Sequence, residues 1–266
     1  MSKETRSAAF GFIGVIVALL AILFVLYGHK TTDAISVLVD RSSLLLTGSS
    51  DFSGFGGGFS ANVIISLLSM LISLVAGFFL GGAMVSPKPS VRNPAVIFMN
   101  LLRSSPWLVV LYAMLYLLPF NVSILGHNFF VSPFLKAVIG LSFPVTAYIA
   151  EAFRNGIRSV PDGQWESARA LGYRRSQILR LIVLPQAFPL MLPNLMTTYA
   201  MLFIGTSLVV VTGTSDVLSI GKTVIASDGD DYAAAVYLYI LLLFFLFAYP
   251  LATWTRAIER RLSKGK

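Results

Sequence analysis

Long apolar runs, broken by short polar segments, pattern this chain of 266 residues. Phe10 to Tyr27, Ala61 to Val85, Phe188 to Val211 and Tyr232 to Trp254 contain no charged residue at all. Pro94 to Leu118 carries only Arg103, and Pro133 to Ala150 only Lys136. A helix that crosses a bilayer needs about 20 predominantly apolar residues. The pattern therefore predicts an all-α integral membrane protein with about six transmembrane helices, one for each run. In the third run a straight helix would carry Arg103 roughly nine residues, or about 13 Å, inward. Either that side chain snorkels back to the headgroups, or Arg103-Ser104-Ser105-Pro106 is a bend where an interfacial segment becomes a span. Residues 47–60, TGSSDFSGFGGGFS, read as a flexible linker. The expected organisation is an N-terminal span with that linker (1–60), a transmembrane domain (61–255) with a polar loop at 151–187, and a basic tail (256–266).

Composition supports the bilayer. Hydrophobic residues make up 56% and charged residues 12%, against roughly 45–50% and about 25% in soluble domains. The absence of cysteine excludes disulfides, thiolate nucleophiles and cysteine-ligated metals. His29 and His127 lie far apart, outside any metal-ligand spacing, and no nucleophile–base constellation is visible. The net charge of +8 is an orientation signal. With the N-terminus inside, sixteen of the twenty Lys and Arg residues fall in cytoplasmic segments, and only Lys30, Arg41, Lys136 and Lys222 fall elsewhere. That distribution follows the positive-inside rule and leaves no role for nucleic acid. The first run exceeds a signal-peptide core, and Gly28-His29-Lys30 is a poor cleavage site, so an uncleaved helix is expected. Both termini and the 151–187 loop should then be cytoplasmic.

That loop holds the chain's densest polar stretch, PDGQWESARALGYRRSQILRLIVLP at 161–185. Pro161 and Asp162 suit the first turn of a helix, and Gly172 suits its stop. Trp165, Ala168 and Leu171 recur at spacing three as an apolar stripe, with Glu166 and Arg169 beside it. The pattern predicts a short amphipathic helix, followed by a second from Ser176 that Pro185 interrupts. Such a stripe either packs on the chain's own bundle or fits a partner's groove.

Glu166-Ser167-Ala168, then three residues, Gly172, nine residues, Ile182, one residue and Leu184-Pro185 resembles the EAA motif of ABC importer permeases, with serine at the first alanine. Residues 147–193, LLRSSPWLVVLY (101–112) and TSLVVVTG (206–213) resemble the polar amino acid branch of that family. The likeness covers about residues 61–255. It implies a five-helix type I permease core with one added N-terminal helix, in the bacterial cytoplasmic (inner) membrane. It also implies that 161–172 is a coupling helix seated in a cleft of a separate ATPase. Pro161, Trp165, Glu166, Ala168, Arg169, Leu171 and Gly172 would form it. Ala168 and Gly172 would allow close backbone approach, Trp165 and Leu171 would supply anchor area, and Glu166 would meet a cation. Anchors of this kind typically contribute about 2 kcal/mol or more.

The same resemblance implies an ATPase pair, a second permease (the same chain or a paralogue) and an extracytoplasmic solute-binding protein as partners. ATP and Mg would be used by the ATPase subunits, and this chain would bind no cofactor. SIGKT (219–223) ends like a phosphate-binding loop, but the glycine required five positions before Gly221 is Asp216. A GK[ST] triplet alone is weak, and the segment reads as a loop. Intramembrane polar groups mark a candidate solute path: Asn62, Tyr148, Glu151, Asn194, Thr206 and Ser207. Pro185, Pro189, Pro193 and Pro250 either line that path as broken helix or simply set kinks. Relatives carry a Lys-Asp pair where this chain has Ile204-Gly205, and small polar residues where it has Phe143-Pro144-Val145. Both departures make that region less charged; the resemblance implies amino acids or related small polar solutes as the class, with another small polar solute as the alternative. An ion-gradient-driven transporter would need intramembrane ionisable residues, and beyond Arg103, Lys136 and Glu151 the runs offer almost none.

Overall fold

The computed structural model describes residues 3–50, 54, 56–124 and 127–264. Residues 51–53 and 55 of the linker, and the last two residues of the basic tail, lie outside them. Helices α1 (Lys3–Tyr27), α2 (Thr31–Asp40) and α3 (Ser42–Thr47) lead into α4 (Gly58–Met84). Then come α5 (Pro89–Ser104), α6 (Trp107–Leu117), strands β1 (Asn121–Ile124) and β2 (His127–Phe130), and α7 (Pro133–Arg158). The chain continues through α8 (Asp162–Ala170), α9 (Arg175–Ile178), α10 (Leu184–Gly205), α11 (Val217–Asp228) and α12 (Ala233–Lys264). Among the described residues five helical segments are long and apolar enough to cross a membrane, or six if α5 and α6 count as one bent span. The expected all-α architecture is present, with the small antiparallel hairpin β1–β2 as an unforeseen addition.

The two readings of Arg103 are separated here. Helices α5 and α6 meet at 99°, so the segment bends. Pro106 drives Ser105 out of the helical region, and both residues are extended, with ψ of 127° and 126°. Arg103 is exposed in the last turn of α5. With 11 residues, α6 is about 16 Å long, shorter than the roughly 30 Å hydrocarbon layer. Its end is closed by Lys136, which is fully buried. The Lys136 ammonium donates to the carbonyls of Leu115 (2.9 Å) and Leu118 (2.6 Å) and lies 3.4 Å from the centre of the Phe120 ring. A cation is favourable at a helix C-terminus, where orphan carbonyls point.

Helix α7 is the hub, packed by α4, α5, α6 and α10. Its closest neighbour is α4, which presents Ser69, Ser73, Gly77 and Gly81 at every fourth position. Ser69 and Ser73 donate to the carbonyls of Val138 (3.0 Å) and Ser142 (3.1 Å) on α7. A Cβ on Gly77 would lie 2.6 Å from Ile149, and one on Gly81 2.8 Å from Phe153. Small residues in a row let two membrane helices approach until backbone and side chains interlock. Helix α1, by contrast, rests mainly on α12 among the spans of the described residues, through Phe12 against Phe245 and Tyr249 at 5.5 and 5.3 Å. Most of its other apolar side chains face outward.

Two boundaries differ from expectation. Pro185 does not interrupt the second helix of the polar stretch: α9 runs into α10 through a π turn at Leu179–Val183, closed by Leu184 N–H to Leu179 carbonyl. The widened turn makes room in the ladder for a residue with no N–H and a crowding ring. SIGKT is helical, not a loop, since Ser219–Thr223 lie inside α11. Asp216 caps that helix by accepting from the N–H groups of Leu218 and Ser219, which puts a carboxylate where a phosphate cradle would need glycine.

Candidate functional site

Helix α8 forms as its end signals predict. Pro161 precedes its first turn in extended geometry, and Asp162 sits at the positive dipole end. At the other end Gly172 has φ +81°. Gly172 N–H donates to Arg169 carbonyl (2.9 Å) and Tyr173 N–H to Ala168 carbonyl (3.1 Å). This is the paired bonding of a Schellman stop, which requires a left-handed residue.

One side of α8 is anchored to the bundle. Ala168 is buried in one cluster with Phe153 and Ile157 of α7, Val160 just after it, Ile178 and Val183 before α10, and Ala187 and Met191 within α10. Trp165 is half-buried at the edge of this cluster, with the Arg175 guanidinium 5.6 Å from its ring. Arg175 also donates to the Val85 carbonyl at the end of α4 (3.1 Å), and Gln186 donates to Gln164 (3.3 Å). The other side is bare. Glu166, Ala170, Leu171 and Gly172 are exposed, and Leu171 is 76% accessible. Glu166 belongs to no ion pair among the described residues.

The expected stripe is thus divided between two faces. Ala168 does not face outward: its small side chain serves approach to the chain's own helices. Gly172 supplies the turn and has no neighbouring atom within 4 Å of a built Cβ, so close packing within the chain does not explain it.

The candidate path residues do not form one site. Asn62 and Thr206 are buried together, with the Asn62 amide donating to both the carbonyl and the hydroxyl of Thr206 at 3.2 Å. Asn62 also accepts from Val217 N–H (3.1 Å). The pair is a structural clip joining α4, the end of α10 and the start of α11, and its hydrogen bonds are already used. Ser207 is half-buried beside it, while Asn194 is exposed.

Tyr148 and Glu151 lie one turn apart on α7. Tyr148 faces Trp107, with ring centres 6.4 Å apart. Glu151 is 3.6 Å from Arg154, yet Glu151 Oε2 and Arg154 Nε are buried without a hydrogen-bond partner. At the position of the missing Lys-Asp pair, a Cβ on Gly205 would lie 2.4 Å from the Trp107 ring. An aromatic surface, not a charge, fills that place. Reading the sequence missed Trp107, although its position just after Ser-Ser-Pro placed it beside the bend. Among the described residues no group of three His, Cys, Asp or Glu could hold a metal ion.

Residues 69–264 match the family described as binding-protein-dependent transport system inner membrane component. The chain belongs to that family. Among relatives of this permease is the Escherichia coli (strain K12) inner membrane amino-acid ABC transporter permease protein YhdY. It is 29% identical over 213 residues, covering 79% of this chain and 57% of the relative. The Rhodobacter capsulatus glutamate/glutamine/aspartate/asparagine transport system permease protein BztC is 31% identical over 212 residues, 78% of this chain and 48% of the relative. The permease therefore spans about half the length of these two relatives. A solved amino acid ABC transporter with histidines superposes with a TM-score of 0.70 at 24% identity, covering 84% of this chain and 96% of the other. That likeness establishes the type I permease fold.

Proposed function

We propose that this permease is the membrane-spanning half-path of an ATP-driven importer for amino acids or related small polar solutes. An extracytoplasmic binding protein delivers the solute, and a second permease, identical or paralogous, completes the path. A pair of ATPase subunits docks at residues 161–172 on the cytoplasmic side, and ATP with Mg is consumed there. The N-terminal 1–60 segment is an accessory to the 61–255 transmembrane domain, with 151–187 as its coupling loop and 256–266 as a basic tail.

The observation that carries this reading is the two-sidedness of α8. Its inner side is fixed among the ends of α7 and α10, while Glu166, Leu171 and Gly172 stand unpartnered on the outer side. A partner that grips the outer side can move the spans, because the inner side has no slack. Pro161 and Arg169 frame the grip, and Trp165 with Ala168 transmits it. Tyr148, which faces Trp107, and Glu151 one turn on are the path residues best placed to meet a solute. Asn62 and Thr206 act in the path only as support.

The test uses the transporter copurified with its ATPase. Glu166→Lys, or replacement of Gly172 by tryptophan, should abolish uptake into liposomes and lower ATPase copurification, with membrane insertion unchanged. Normal uptake by both variants would defeat the docking assignment.

A further inference from the structure

A cavity of about 370 Å³ opens where α4 and α7 end, roofed by those ends and floored by α8 and α9. Four arginines are among its lining residues, all of them exposed: Arg92 of α5, Arg158 at the last position of α7, Arg169 of α8 and Arg175 of α9. The single lining carboxylate is Asp162. None of the four arginines belongs to an ion pair among the described residues. Like charges gathered in one concavity repel unless an anion joins them. The arginine fork suits phosphate oxygens in particular, because it presents parallel N–H donors in one plane. Arg175 is already oriented, since the Val85 carbonyl and the Trp165 ring hold it in place.

We infer that this cavity binds a phosphate group, carried by an anionic phospholipid or free in solution. The inference rests on the cytoplasmic placement of α8 proposed above. Two observations favour the lipid as carrier. The cavity lies at the ends of two spans, which is the level of the headgroups. Its α5 wall continues into exposed Val91, Ile97, Phe98 and Leu101, an apolar strip beside Arg92 that acyl chains can cover. Basic pockets between membrane helices at the cytoplasmic surface recognise such headgroups. Of the docking residues, Glu166 and Leu171 lie outside the cavity lining while Trp165 and Arg169 belong to it, so a phosphate held there borders the docking helix on its bundle side.

The experiment takes the full transporter complex from detergent and counts retained lipid by native mass spectrometry. Phosphatidylglycerol and phosphatidylcholine are added in turn, with and without inorganic phosphate. Retention of phosphatidylglycerol should exceed that of phosphatidylcholine. The double variant Arg92→Gln/Arg158→Gln should lose it by about tenfold, while Arg256→Gln/Arg260→Gln in the tail should not. Displacement by millimolar inorganic phosphate, with the same variant dependence, would assign the site to free phosphate. Equal retention by both double variants, or no preference between lipids, would overturn the inference and leave only a general surface charge. ATPase copurification is read on the same samples. An intact complex without lipid preference defeats this inference alone, and a lost ATPase points to the docking assignment.

Discussion

At the scale of single residues, the absence of a side chain is as decisive as its presence. Gly77 and Gly81 let α4 lie against α7, and a built Cβ at either would collide with Ile149 or Phe153. The next residue, Gly82, has open space around its built Cβ. Gly81→Leu should therefore destabilise the bundle by about 1–3 kcal/mol through overpacking, and Gly82→Leu should not. Thermal unfolding in detergent checks this, and equal midpoints for the two variants would contradict the close-contact role. Serine and glycine at spacing four in residues 69–81 could have been read from the sequence as an interface row. Ala168 could not. Its spacing with Trp165 and Leu171 is compatible with one stripe, but six residues at 100° each place Leu171 about 120° round from Trp165. Leu171 consequently points outward, and only the packed neighbours reveal which side of α8 is buried.

At the scale of elements, apolar runs reveal spans well and helix ends poorly. Five of the six expected spans are helices long and apolar enough to cross, because uninterrupted apolar length is itself the requirement, and the third is one only if the bent pair α5 and α6 counts as a single span. Their ends differ. Helix α7 continues to Arg158 and α12 to Lys264, past Ala150 and Trp254, because charge ends a hydrophobic stretch without ending a helix. The α5–α6 bend was legible as one of two readings, and Ser105-Pro106 supplies its cause. Replacing Pro106 with alanine frees Ser105 to become helical and should open the angle between α5 and α6. Spin labels at Ile97 and Met114 should then move apart. An unchanged separation would mean that packing against α7, not the proline, sets the bend. The π turn at Leu179–Val183 left no comparable mark, because proline at 185 is equally compatible with a stop.

At the scale of the whole molecule, distant parts of the chain are joined at the end opposite α8. Arg41, after α2, makes a two-pronged ion pair with Asp228 at the end of α11, at 2.8 and 2.5 Å. Hydrogen bonding from Arg41 holds the Asp228 carboxyl below its ordinary range, and the same bond raises Arg41. A depressed carboxylate stabilises the fold above its unfolded value, and that contribution is lost as pH falls through the folded one. The clamp should therefore be constant through neutral pH and release only below the usual carboxylate range. Hydrogen exchange in α11, measured in nanodiscs, should rise under acid, and Asp228→Asn should reproduce the rise at neutral pH. Faster exchange already at mildly acidic pH would point to another group.

The shared cluster around Ala168 has a mechanical corollary. It works as a yoke, with residues from the tail of α7 and the head of α10 meeting around a single methyl group. Met191 lies so near Gly156 that a Cβ there would come within 2.4 Å of it, which pins the two helices where they cross. Neither helix can then answer a push separately, and whatever tilts one must swing its companion through the same arc.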